Sequence, residues 1–268
     1  MGTLELSRFA DSLLDLVFPP GLYCRCCGKI IDDTRTYRLC DDCMDSVKWI
    51  SGRTCVKCGK HLSESNPGDE CFSCRSYEHR FDRGYTCTEY GTCERAMVFA
   101  LKYDGKTYLA ETIGEIMADR MLAEFGSDEL CDMYDLVLPV PVHRSKKLIR
   151  GFNHAALIAS AFARRTGLKS SDKILERARV THVMKSLKPD ERRENIRGSF
   201  RVVPGRESLI QEKRVLLVDD IYTTGATVDE IARILNEPWK DPSGALHPGA
   251  ARADVLTFAA GADVIKSS

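Results

Sequence analysis

The apolar and polar positions of this chain fall into three textures. Over residues 1–20, Leu4, Phe9, Leu13, Leu14, Leu16, Val17 and Phe18 form an apolar stripe that stops at Pro19-Pro20, which predicts an amphipathic N-terminal helix packed on a neighbour. Residues 21–80 carry few long hydrophobic periods and are rich in Cys, Gly and charge, so apolar burial alone cannot fold them and they need a staple. From residue 81 onward strand-like and helix-like stretches alternate. The pattern predicts helices over 91–103, 107–125 and 153–167, a strand over 134–140 and a basic, turn-rich segment over 177–200. It continues with a strand over 214–220, a helix starting near Gly225 and a last strand over 254–261. Such alternation indicates an α/β domain over 81–268 with a parallel sheet covered on both faces. The run 236–253, with three prolines, reads as a surface insertion before the final strand.

Composition narrows the class. With 43% hydrophobic and 29% charged residues among 268, the chain can bury a sizeable core, which excludes global disorder. No apolar run approaches the ~20 residues that a membrane-crossing helix needs, so no membrane insertion is expected. The first residues lack a basic n-region and a small-residue cleavage site, which predicts no secretory leader and a reducing, cytoplasmic setting. Lys+Arg and Asp+Glu both total 39, yet residues 143–214 hold 19 Lys/Arg against 7 Asp/Glu, and residues from Asp219 onward hold 4 against 8. The middle of the chain is suited to anions or is a solvated basic face, and its charge alone does not separate the two.

Eleven of the twelve cysteines precede residue 94. Cys24, Cys27, Cys40 and Cys43 are spaced C-x2-C-x12-C-x2-C, and Cys55, Cys58, Cys71 and Cys74 repeat that spacing 31 residues later. Each first pair is followed by Gly-Lys, Gly28-Lys29 and Gly59-Lys60, where the glycine lets backbone amides turn toward the sulfurs. A duplicated four-cysteine unit in a reducing setting points to two structural zinc ions over residues 21–80, rather than to disulfides or buried thiols. Consecutive quartets and a cross-braced pairing leave the same trace in the sequence. Cys26, Cys87, Cys93 and Cys131 fall outside the repeat and read as small buried residues.

Residues 215–227, VLLVDDIYTTGAT, join an apolar strand, two carboxylates and a hydroxyl-rich turn that opens a helix. Asp219 and Asp220 fall at the carboxyl end of a parallel strand, where open sheets bind ligands, and the turn aims helix N–H groups at a phosphate. Carboxylates beside an anion nest suit a sugar's hydroxyls or a divalent cation, so a phosphorylated, magnesium-linked sugar fits.

This arrangement resembles the 5-phosphoribosyl 1-diphosphate (PRPP) motif of type I phosphoribosyltransferases. By that resemblance Asp219 and Asp220 contact the ribose hydroxyls, while Thr223, Thr224, Gly225, Ala226 and Thr227 wrap the 5-phosphate. With ALKYDGK (100–106), VLPVPVHRSKKLIRGFNHAALIA (137–159) and the 181–200 pattern TxxxxxLxxxxRRxNIRGSF downstream of a tandem zinc module, the chain resembles the competence protein F (ComF) family over nearly its whole length. The resemblance implies a double zinc ribbon followed by a type I phosphoribosyltransferase-like domain, PRPP with Mg2+ or ribose 5-phosphate as ligand, and handling of imported single-stranded DNA during natural transformation, with a DNA-translocating helicase as partner. The alternative it leaves is an active PRPP-dependent phosphoribosyltransferase acting on a small acceptor, amidophosphoribosyltransferase-like.

Further contacts follow from position. His143, Arg144, Lys146, Lys147 and Arg150 form the loop expected to meet the diphosphate, and Lys102 and Tyr103 face the same cavity. Arg177, Arg179, Thr181, Arg192, Arg193, Asn195 and Arg197 occupy the place of the mobile catalytic loop, with Arg192 joining the acid pair in catalysis. The family commonly has Gln where this chain has Met184. His61, His79, His154, His182 and His247 show no ligand-like spacing and read as structural, and Tyr222 either stacks on a base or packs.

Overall fold

The computed structural model describes residues 22–179 and 189–263; the expected helix over 1–20, together with Thr181, His182 and Met184, lies outside the described residues. Two short helices, α1 (Asp41–Ser46) and α2 (Phe72–Ser76), lie in the cysteine-rich segment. The chain then runs β1 (Gly84–Glu89), α3 (Thr92–Tyr103), α4 (Leu109–Phe125), α5 (Ser127–Met133), β2 (Leu136–Pro139), α6 (Arg144–Arg150) and α7 (His154–Thr166). It continues through β3 (Leu175–Arg177), α8 (Pro189–Ile196), β4 (Phe200–Val202), β5 (Arg214–Tyr222), α9 (Ala226–Asn236), the two-residue strands β6 (Trp239–Lys240) and β7 (Leu246–His247), and β8 (Arg252–Ala260).

Four strands form a parallel sheet in the order β1-β8-β5-β2. The central strand β5 is apolar on both faces because each face is covered. Leu216 and Val218 join a core with Ile113 and Met117 of α4 and Ile158 and Phe162 of α7, whereas Val215 and Leu217 join a second core with Ile231 and Leu235 of α9. The near-continuous hydrophobic run VLLV is the pattern a doubly covered parallel strand requires. Gly114 sets the closest helix contact: a Cβ there would lie 2.5 Å from the Ala161 Cβ and 2.9 Å from the Ile158 carbonyl oxygen, so α4 and α7 meet backbone to backbone.

The cysteine-rich segment is built onto the β1 edge of this sheet. Cys24, Cys40 and Cys43 belong to the first core, while Cys55, Cys58, Cys71 and Cys74 belong to the second, so the two repeats sit on opposite faces. Between them the chain pairs with the free edge of β1 through an antiparallel bridge of Trp49 with Thr88, and the Ile50 N–H donates to the Cys87 carbonyl at 3.1 Å. Arg25 ties the first repeat to α4 by donating to Thr112 Oγ1 and Glu111 Oε2, each at 2.9 Å. Asp263, beyond β8, accepts from Asn66 Nδ2 at 2.7 Å and from the Phe72 N–H at 3.0 Å in the second repeat.

The expected helices at 91–103, 107–125 and 153–167, the strands and the parallel sheet are present. Three features differ. The expected diphosphate loop at 143–150 is a helix, α6, because His143 caps its start by accepting the Ser145 N–H and Gly151, at φ +82°, ends it. Leu148 and Ile149 remain exposed, so no apolar period announced it. Strand β1 went unread since its inward positions include Thr86 and Thr88, buried through hydroxyl bonds to Cys58 and Phe258 carbonyls. Cys131, read as buried, is exposed, whereas Cys87 and Cys93 are buried. Among the described residues no helix is long and apolar enough to cross a membrane.

Replacing Gly114 with Leu drives a side chain into the α7 backbone; roughly 1–3 kcal/mol of destabilisation is expected. A denaturant titration with an unchanged midpoint would show that the two helices do not meet so closely.

Candidate functional site

The eight cysteines resolve into consecutive quartets rather than a cross-brace. Within each of Cys24/Cys27/Cys40/Cys43 and Cys55/Cys58/Cys71/Cys74 the sulfurs all lie within 4.8 Å of one another. Each quartet has the same knuckle: the Gly28 N–H donates to the Cys24 carbonyl at 2.9 Å and the Gly59 N–H to the Cys55 carbonyl at 2.8 Å, with both glycines in the left-handed region. The Cys40 N–H also points at Cys24 Sγ, 3.3 Å away, as expected where a thiolate needs backbone donors. Four thiolates in a closed set match structural zinc, whose role is to fold the ribbon.

The acid pair stands at the carboxyl rim of the sheet. Asp219, paired with Thr257 of β8, and Asp220 precede the strand end at Tyr222, and Thr223-Thr224-Gly225 then turn into α9. Gly225 takes φ +77°, and a Cβ there would lie 2.5 Å from the Tyr222 hydroxyl and 2.8 Å from His79 Cε1, so the turn requires glycine on both counts. The strand thus delivers two carboxylates, and the first turn of α9 offers its unpaired N–H groups beside the hydroxyls of Thr223, Thr224 and Thr227. Those residues and Asp219 line one small cavity.

Asp220 is only 3% exposed and is met by an ammonium and an imidazole from distant segments. Lys102 of α3 forms an ion pair with Oδ2, and His154 Nε2 of α7 lies 3.6 Å from Oδ1. Burial opposes its ionisation, but Lys102 and His154 outweigh burial and hold Asp220 below the usual carboxylate range. Burial, and then the charge of Asp220, push Asp219 well above that range. Burial also pushes His154 down, against the pull of Asp220, which favours the neutral imidazole. Arg150 Nη1 lies 3.4 Å from His154 Nδ1, and a donor at Nδ1 places the imidazole proton on Nε2, facing Asp220.

Around this centre the cations gather. A cavity of about 330 Å³ is lined by Lys102, Tyr103, Lys146, Ile149, Arg150 and Phe152. Burial and the charges of Arg177, Arg150 and Lys102 lower the Lys146 pKa, as expected where like charges crowd together. Arg177 is bridged in β fashion to His143, and its charge is felt by Asp219. Lys102 and Arg150 thus line this cavity, while His143 caps α6 and Arg144 is exposed. Arg193 does not face the acid pair: it pairs with Asp229 Oδ2 at 3.0 Å and covers the Tyr77 ring. Arg192 lies on α8, and its side chain is outside those described. Tyr222 is packed, 3% exposed.

His154 was read as structural, and it contacts Asp220; its signal was its place as first residue of a helix behind the rim strand β2, which a search for ligand spacing does not weigh.

Residues 13–75 match the double zinc ribbon domain family. Over 199 residues the chain is 24% identical to competence protein F of Haemophilus influenzae, covering 74% of this chain and 84% of that protein. The resemblance to the competence protein F family is borne out. DNA utilization protein YhgH of Escherichia coli K12 is 25% identical over 197 residues, covering 74% of this chain and 83% of its own. Competence protein ComFC of Bacillus subtilis is 24% identical over 212 residues, covering 77% and 81%.

Two outcomes follow. Metal analysis of protein purified without chelator is expected to give two zinc ions per chain, and their removal to cost on the order of 10 kcal/mol. Loss of zinc without loss of structure would contradict that. For Asp219, the folded state ionises less readily than the unfolded one, so its charge costs stability at neutral pH and nothing below the usual carboxylate range, where both states are protonated. Asp219→Asn should therefore raise the melting midpoint by a few degrees near pH 7, with the gain vanishing as pH falls below about 4. A midpoint difference independent of pH would refute the assignment.

Proposed function

We propose that this chain binds PRPP with Mg2+, or ribose 5-phosphate, at the β5–α9 turn and acts in the cytoplasm in handling imported single-stranded DNA. The observation that carries the reading is the acid pair at the sheet's carboxyl rim, followed by a left-handed glycine and an open helix start, with a cation-lined cavity beside it. Asp219 and Asp220 are the groups to hold the ribose hydroxyls. Thr223 to Thr227 receive the 5-phosphate, and Lys102, Lys146 and Arg150 face the diphosphate. Arg192, by the family resemblance, is the cation assigned to the catalytic segment. The magnesium ion, when bound, supplies charge neutralisation of the diphosphate. The donor set fits it: Asp219, Asp220 and His154 each bring one ligand atom to within 4.8 Å of the others, and carboxylate oxygens suit a hard divalent cation.

The DNA part rests on the relatives, called competence and DNA utilization proteins, and on one surface feature. Phe99 and Tyr103 of α3 are both more than half exposed, with ring centroids 4.8 Å apart, and Arg150 covers Tyr103 at 4.8 Å. Exposed aromatics flanked by cations give bases a stacking platform and phosphates a counter-charge.

Calorimetric titration with PRPP and Mg2+ tests the first part: the wild type should bind, and Asp219→Asn should bind at least tenfold more weakly while remaining folded. Absence of binding by the wild type refutes it. Single-stranded DNA should bind with an affinity that falls steeply with salt and weakens in Phe99→Ala, Tyr103→Ala; salt-insensitive binding removes the DNA part. Diphosphate release on adding candidate acceptors distinguishes a transferase from a binding protein.

A further inference from the structure

The two knuckles carry the same Gly-Lys, yet their lysines differ in fate. In the first repeat Lys29 is exposed and pairs with Asp42. Thirty-one residues later the position of Asp42 is held by Ser73, and Lys60 turns inward instead. It is 5% exposed, donates from Nζ to the Thr223 carbonyl at 3.2 Å, and lies 5.4 Å from the centroid of the Tyr222 ring. Among the described residues no carboxylate pairs with it.

The placement of Lys60 is set by the second quartet. The Cys55 N–H donates to the Lys60 carbonyl at 2.7 Å, closing the knuckle. Gly59 lies so close to β1 that a Cβ would come within 2.7 Å of the Gly84 carbonyl oxygen. The stretch after this repeat also backs the same turn: the Tyr222 hydroxyl lies 3.4 Å from His79 Nε2, and His79 Nδ1 lies 2.7 Å from Asp229 Oδ2 in the first turns of α9. A buried ammonium held by a carbonyl and a ring has lost most of its hydration, and beyond the thiolates of the adjoining quartet it has no carboxylate counter-charge. A phosphate seated on the Thr223–Thr227 turn would supply one.

We propose that Lys60 is a positioning residue for the phosphate turn, and that metal in the Cys55–Cys74 quartet and a phosphate ester at the turn are thereby thermodynamically coupled; the proposal rests on the ribose-phosphate reading above. Metal closes the knuckle, the knuckle places Lys60, and Lys60 fixes the Thr223 peptide and lends its charge to the site. Coupling of this kind is reciprocal, so the ligand must also tighten metal in that quartet and not in the first.

Ribose 5-phosphate is titrated into zinc-loaded wild type, Lys60→Met and Lys60→Arg, with zinc content and circular dichroism measured on the same samples. The expected result is about tenfold weaker binding by Lys60→Met, partial recovery in Lys60→Arg, and two zinc ions in both variants. Wild-type affinity in Lys60→Met overturns the proposal alone, whereas no binding by the wild type overturns the ribose-phosphate reading and this proposal with it. Should Lys60→Met fail to fold, the wild type decides: on challenge with a chelator, saturating ribose 5-phosphate should slow release of one of the two zinc ions several-fold. Unchanged release of both ions overturns the coupling.

Discussion

The ion pair of Lys102 with the buried Asp220 is the interaction on which the centre depends. An isolated carboxylate at that depth would take up a proton, because burial disfavours its charge. Lys102 comes from α3 and His154 from α7, two helices separated in sequence by more than the length of either, so the charge state of β5's last turn reports the docking of both helices on the sheet. That docking depends in turn on Gly114, which lets α4 reach the backbone of α7. The site's electrostatics and the first core are therefore one problem: a helix that slips takes its partner for Asp220 with it.

Adjacent carboxylates with opposite tendencies are the second consequence. One face of β5 offers Lys102 and His154 and holds Asp220 ionised, while at Asp219 burial and the charge of its neighbour outweigh the pull of Lys102. A fold selected for stability alone has no use for two acids in a row on a buried strand. Local costs of this kind collect at functional sites. The burial and surplus of cations that lower Lys146 are the same cost with the opposite sign, which an anionic ligand would relieve.

The legible and illegible parts of the sequence divide along physical lines. VLLVDD followed by TTGAT was readable because each requirement, two-sided burial, charge at the rim and a left-handed glycine, leaves its own residue type. The cysteine repeat was readable because metal geometry fixes spacing. Helix α6 was not, since its stability comes from the His143 and Gly151 caps rather than from an apolar face. Strand β1 was masked by Thr86 and Thr88, polar side chains buried through hydrogen bonds that only tertiary partners supply. His154 was missed because its partner is sixty-six residues away, and pairing across a sheet has no sequence period. Arg193, grouped with the catalytic segment on charge, serves to hold the start of α9 through Asp229.

The duplicated ribbon explains why a small module can matter to a site it does not contain. Both quartets close onto β1, one on each face, and the segment around Trp49 covers the strand's open edge. An edge strand left unpaired invites other chains, so the ribbon completes the sheet as well as folding itself. After duplication the two copies met different surroundings: the first faces α4 and is clamped there by Arg25, and the second faces the β5–α9 turn. With Ser73 where the first repeat has Asp42, Lys60 has no such acid beside it and turns toward the β5–α9 turn, over the Tyr222 ring. The second repeat thus packs against the rim as well as stapling its own segment, and its fold and the shape of the turn share the Lys60–Thr223 contact.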